Sequence, residues 1–219
     1  MTRIVPFPRD VQRFVALHSA VRIPPAHEPA DVVAVLRHAT RAHHDRLDQL
    51  MDLPRMGERA HYGRVLQVFA AFLAAWEPAM VVALPEPWRA WLQARSRHPF
   101  LKHDLHQLRL CAPVPAALPP FAHGGAAWGS VYVMEGSALG GQFIGRRLAQ
   151  AGLHAGSGAA FFHGWGEATA GLWRETRGVL AGQLADPAAL EQACDGARST
   201  FDTLSRLLER TVHERAAAA

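Results

Sequence analysis

The stretch Tyr132-Val133-Met134-Glu135-Gly136-Ser137-Ala138-Leu139-Gly140-Gly141-Gln142 lies inside a long apolar segment, about 124–151, that otherwise suits a helix. Glycine in a helix interior gives up roughly 1 kcal/mol relative to alanine, so three within six positions sacrifice about 2–3 kcal/mol. Such a cost calls for a use of the missing side chains. Glycines at i and i+4 clear one helix face, so that a second backbone or a flat ligand approaches closely, and they let the helix bend. Two uses stay open from the residues alone: tight helix–helix contact of the small-xxx-small kind, or room for a ligand. Ser137, on the same helix, either back-bonds to the main chain or holds a water.

Outward from this segment the chain reads as helices. Asp31 is placed to cap a first helix in which Val32, Val35, Leu36, Ala39, Leu47 and Leu50 recur at three- and four-residue spacing until Pro54. A second is expected over 57–83, carrying Tyr62, Val65, Leu66, Phe69, Phe72, Leu73 and Trp76, with Pro78 kinking it or ending it early. Trp88, Trp91 and Leu92 open a third, which breaks at His98-Pro99 and resumes through Leu101, Leu105 and Leu108. Four prolines make 112–120 an extended linker. Beyond the glycine-bearing helix, 152–158 reads as a loop, 167–184 as a fifth helix and 187–215 as a sixth. No alternating strand pattern of useful length occurs. The expectation is an all-α, single-domain bundle of six or seven helices spanning 31–219, behind an N-terminal extension, 1–30, whose prolines interrupt any helical period.

Bulk composition narrows the classes. With 219 residues, 49% of them hydrophobic, the chain buries one sizeable core and is short for two domains. The net charge of +4, from 23 Lys+Arg against 19 Asp+Glu, suits an anionic small ligand or an acidic protein partner better than nucleic acid. Cys111 and Cys194 belong to no CxxC or Cys/His spacing, so neither a zinc site nor a disulfide framework is suggested, in keeping with a reducing cytoplasm. No secretory leader pattern is seen in the first 30 residues, and no stretch reads as the roughly 18 apolar residues of a membrane span. A soluble, cytoplasmic protein is expected. No P-loop, dinucleotide fingerprint or nucleophile elbow occurs.

In the first helix, Thr40, His44 and Asp48 are four apart and stack on one face beside the apolar stripe. A neutral imidazole at the edge of an apolar bundle is a good ligand for haem iron; the same position also suits a solvated or hydrogen-bonded edge histidine. His43 reaches the stripe as well, and periodicity does not choose between the two.

Together, the two stretches resemble the biliverdin-producing haem oxygenase family. Ala39-Thr40-x-x-x-His44-x-x-Leu47-Asp48 is similar to that family's proximal helix, and Gly136-Ser137-x-Leu139-Gly140-Gly141-Gln142 to its distal helix, about 90 residues further on. The run from Tyr132 to Gly141 resembles the bacterial branch, which includes enzymes paired with bacteriophytochromes. The resemblance implies haem b between a proximal and a kinked distal helix, serving as both substrate and cofactor, with His44 on the iron and Gly136, Ser137, Gly140 and Gly141 along the oxygen side. It implies Arg37, Tyr132, Arg174 and Arg177 as partners of the haem propionates, although each arginine alone reads equally as a solvated surface charge. The animal branch carries an aspartate where Ser137 stands, so proton delivery here would use a different water network. The implied reaction opens haem to biliverdin, carbon monoxide and ferrous iron, using dioxygen and electrons from an external reductase or ferredoxin. The rivals are a haem carrier or sensor of the same fold that does not turn haem over, and a helical enzyme of the thiaminase-like kind without haem.

Overall fold

Apolar spacing of three and four residues turns most of the described chain into helix. The computed structural model describes residues 29–218, with side chains from 32 to 211, so the expected extension lies almost wholly outside the described residues. The helices are α1 (Pro29–Met51), α2 (Arg59–Ala83), α3 (Glu86–Gln93), α4 (His98–Gln107), α5 (Gly124–Gln150), α6 (Ala160–His163), α7 (Thr169–Gln183) and α8 (Pro187–Ala218), with short 3-10 turns at Leu53–Gly57 and Gly166–Ala168. The described residues hold no strand, as expected for an all-α fold.

Several boundaries differ from expectation for local reasons. α1 is described from Pro29, so Asp31 stands in its first turn rather than before it. α2 continues through Pro78 to Ala83, because Trp76 and Met80 are buried on either side of the proline and fasten the helix to the core. Of its 25 residues, one 18-residue window is apolar enough to cross a membrane by composition alone, which corrects the reading that no stretch approaches that character. Half of that window is buried within the bundle, as suits a core helix. The Pro-rich stretch lacks regular structure as expected, and is tied to α2 by the Ala116 N–H donating to the Ala71 carbonyl at 2.8 Å.

The short α6 was not expected. A four-residue helix is too short to hold itself; here the buried Asp104 carboxylate on α4 accepts the backbone N–H groups of Ala160 and Phe161, both at 2.8 Å. Burial pushes the Asp104 carboxyl up to about 7, against those two N–H groups, which pull it down. α6 delivers Phe161 and Phe162 into the core.

α8 is the spine of the molecule, and both α1 and α5 pack along it. The α5–α8 crossing is close because small residues meet there. A Cβ on Gly129 would collide with the backbone of Ala193, and one on Gly196 with the backbone of Ala126. The small-residue contact anticipated as one use of the glycine stretch therefore lies two turns upstream of Gly136. Beside it, the buried Ser130 hydroxyl accepts both the Trp76 indole N–H and the Thr200 hydroxyl at 2.7 Å, joining α2, α5 and α8.

Candidate functional site

Because α1 and α5 both lie along α8, the space between them is a cavity, of about 580 Å3. That size falls within the range usual for cofactor sites. One stripe of α1 lines it, through Arg37, Thr40, His44, Leu47, Asp48 and Met51, the three- and four-residue spacing of a single helix face. α5 supplies the opposite wall through Tyr132, Val133, Gly136, Ser137, Gly140 and Gly141. The remaining walls are mostly apolar, from Phe69, Phe161, Phe162, Ile144, Phe201 and Leu204, with Arg97 among them.

The structure separates the two adjacent histidines. His44 lines the cavity, its ring edge-on to Phe201 with centroids 5.7 Å apart, and its Nδ1 lies 3.2 Å from Asp48 Oδ2. The hydrogen bond to Asp48 raises its pKa above 6.5, against partial burial. With Nδ1 held by a carboxylate, Nε2 is the nitrogen left for a metal, the usual arrangement in which a second group orients a histidine ligand. His43 instead points to Asp202 on α8, with Nε2 3.8 Å from its carboxylate, and does not line the cavity. Among the described residues no group of three His, Cys, Asp or Glu is arranged around a metal position.

The glycines divide by role. A Cβ at Gly140 would meet nothing within 4 Å. At Gly136 it would rest in ordinary contact with the Trp173 ring, at 3.6 Å. At Gly141 it would press on the Phe162 carbonyl oxygen at 3.0 Å, so that glycine lets α6 pack against α5. Open space thus belongs to Gly140 and close packing to Gly141.

Arg37 and Tyr132 come together at one edge of the cavity. Burial raises the Tyr132 phenol above its ordinary value, while the Thr40 hydroxyl and the Arg37 charge pull it down. Arg174 and Arg177 are not brought to the site. Arg174 is exposed, Arg177 is partly buried with an Nε lacking a hydrogen-bond partner among the described residues, and neither lines the cavity. The side chain of α7 that reaches it is Trp173, 6.0 Å from the Tyr132 ring.

Sequence reasoning missed Arg97. It stands between α3 and α4, is 5% exposed and lines the cavity. It donates from Nη2 to the Met134 carbonyl at 2.5 Å and to Ser137 Oγ at 2.7 Å. Ser137 in turn donates to the Met134 carbonyl at 2.7 Å, which is the back-bond to the main chain anticipated for it. An arginine at a helix boundary reads as solvated, and no spacing rule marks this one.

A family model described as "Heme oxygenase" matches residues 122–210. A protein described as "Heme oxygenase" from Xanthomonas campestris pv. campestris (strain 8004) is 38% identical over 144 residues, 65% of this chain and 81% of that relative. The solved structure of the NO- and CO-bound heme oxygenase from Neisseria meningitidis matches with a TM-score of 0.70 at 24% identity, covering 82% of this chain and 91% of that one. At that identity the structural likeness bears on the fold.

Proposed function

The chain belongs to the haem oxygenase family, and from that premise we propose that it opens haem to biliverdin, carbon monoxide and ferrous iron within the cavity between α1 and α5. The observation that carries the assignment to this site is the pairing of two unlike walls. One presents a carboxylate-oriented imidazole, His44; the other presents the open space at Gly140.

The residues fit haem b. The apolar walls suit a flat macrocycle, and Arg37 with Tyr132 forms a polar edge suited to its carboxylates through charge-assisted bonds. Gly136, Ser137, Gly140 and Gly141 are assigned to the oxygen side, with the open space contributed by Gly140. Trp173 takes the place on α7 expected for Arg174 and Arg177. When bound, haem supplies the iron that activates dioxygen and is itself the molecule oxidised. The protein's part is to orient. Asp48 fixes the His44 ring, Phe161 and Phe162 limit water, and Gly140 keeps side chains off the reacting edge. The absence of flavin and nicotinamide fingerprints from the sequence supports an external reductase or ferredoxin as donor, and the Tyr132–Gly141 run supports a bacteriophytochrome as an acceptor of the biliverdin. The helical unit 31–219 is inferred to be the catalytic domain.

Titration of the protein with haemin tests the site. His44→Ala should lose the native ferric Soret spectrum while the helical circular dichroism persists, and His43→Ala should keep it. The reverse pattern would move the iron ligand to His43.

A further inference from the structure

Behind α5 lies a second cavity, about 10 Å3, lined by Glu77, Arg95, Ser96, Arg97 and Glu135 among others. Arg97 lines this one and the larger cavity alike. The two arginines at this boundary are treated differently. Arg95 takes the carboxylates, with Nε 3.4 Å from Glu135 and Nη2 2.9 Å from Glu175. Glu77 accepts the Ser96 hydroxyl at 2.8 Å. Arg97 hydrogen-bonds only neutral partners, the Met134 carbonyl and Ser137 Oγ, with the Phe161 ring 4.8 Å away, while Glu135 and Glu77 favour its charge through space. A guanidinium has five N–H groups. Those on Nη2 meet α5, and the three on Nε and Nη1 are not used in those bonds.

A buried cation is costly to desolvate unless acceptors are supplied, and burial lowers the Arg97 pKa even with Glu135 and Glu77 opposing it, so a further acceptor in the cavity would be favoured. The bonds to α5 fall at Met134 and Ser137, the latter about one turn before Gly140, so the charge is held against the same helix and lines the same cavity as Gly136 and Gly140. A donor already in place spends nothing on reorganising when negative charge appears nearby.

We propose that Arg97, held by Ser137 and the Met134 carbonyl, is the cationic hydrogen-bond donor of the cavity's oxygen side, and that it recognises small anionic or dioxygen-like ligands there. The proposal rests on the haem oxygenase reading. It assigns Arg97 a direct contact and Ser137 a positioning role.

Fluoride binding to the ferric haem complex is the probe, because fluoride accepts strong hydrogen bonds from its surroundings. Hydrogen bonds to charged groups correspond to roughly 10-fold to 100-fold in affinity. Arg97→Met should weaken fluoride by about that factor and raise the C–O stretching frequency of the ferrous carbon monoxide complex, since a positive field near the oxygen end is removed. Arg97→Lys keeps the charge but places it on a single nitrogen, which cannot hold α5 and reach a ligand with separate nitrogens as the guanidinium can. It should weaken fluoride several-fold, and it decides the matter should Arg97→Met not fold. Ser137→Ala should give a smaller loss in the same direction. Lys102→Ala, an exposed change of equal charge on α4, should leave both readouts at their wild-type values. Failure of the wild-type protein to form a haem complex would defeat the underlying reading. A native Soret spectrum with fluoride affinity within two-fold of wild type in both Arg97 variants would overturn the proposal alone.

Discussion

Replacing Gly140 with alanine should stabilise the protein and impair it at once. A Cβ there meets nothing within 4 Å, and Gly140 is exposed to the cavity, so no packing opposes the substitution. Alanine is favoured over glycine in a helix interior by about 1 kcal/mol, which in a chain of this size corresponds to a rise in Tm of roughly 2–4 °C. The same methyl group projects into the space assigned to the reacting edge of haem. A displacement of about 1 Å in a reacting geometry costs on the order of 100-fold, so biliverdin formation in a single turnover with ascorbate should slow by between about 10- and 100-fold, while the Soret band through His44 persists. Gly141→Ala should do the opposite in stability, because its Cβ would press on the Phe162 carbonyl at 3.0 Å and α6 would have to move. Thermal melts of the haem-free variants and single-turnover traces of their haem complexes provide the comparison. A lower Tm for Gly140→Ala, or a normal biliverdin yield from it, would refute the assignment of open space to the chemistry.

Gly129→Ala should be among the most damaging single changes, since its Cβ would collide with the backbone of Ala193; overpacking of about 3 kcal/mol or more should show as loss of soluble protein or a sharply lowered Tm. Asp104 has a folded pKa, about 7, above its unfolded value, so the stability it contributes is present in acid and is lost as pH rises through about 7. Asp104→Asn should flatten that slope in melts taken from pH 5 to 8. His44 must be neutral to bind a metal, and its hydrogen bond to Asp48 raises its pKa above 6.5, so haem affinity should fall as pH drops through that raised value. In the haem-free protein the pair stabilises the fold below 6.5 and that contribution is lost as pH rises through the raised value. Asp48→Asn should move the haem-binding midpoint to lower pH, which equilibrium titrations at several pH values would show.

The bundle was legible because its core positions repeat at helical spacing: Leu36, Leu47, Leu66, Phe69, Phe201 and Leu204 are all buried where the period put them. The cavity walls were legible for a different reason. The glycine stretch is an unusual choice for a helix and leaves a trace in sequence, whereas His44, an ordinary residue at a helix edge, is marked by the likeness of its motif to the family's proximal helix. What stayed hidden depends on contacts between distant segments. α6 exists because Asp104, more than fifty residues upstream, caps it. Gly140 and Gly141 are neighbours of identical type, and only the position of Phe162 separates their roles. Arg174 carries the expected charge on the expected helix, yet the rotation of α7 brings Trp173 to the cavity. His43 and His44 likewise differ by one step around α1, which periodicity does not resolve and the packing on α8 does.

The cavity between α1 and α5 is assigned both the binding and the destruction of haem. The most direct measurement loads the protein with equimolar haemin, adds ascorbate or a reductase in air, and follows the visible spectrum while carbon monoxide is trapped. The Soret band should decay as a biliverdin band grows, with carbon monoxide released in equal amount. A stable ferrous haem complex, binding dioxygen or carbon monoxide without ring opening, would identify a carrier or sensor and contradict the catalytic reading.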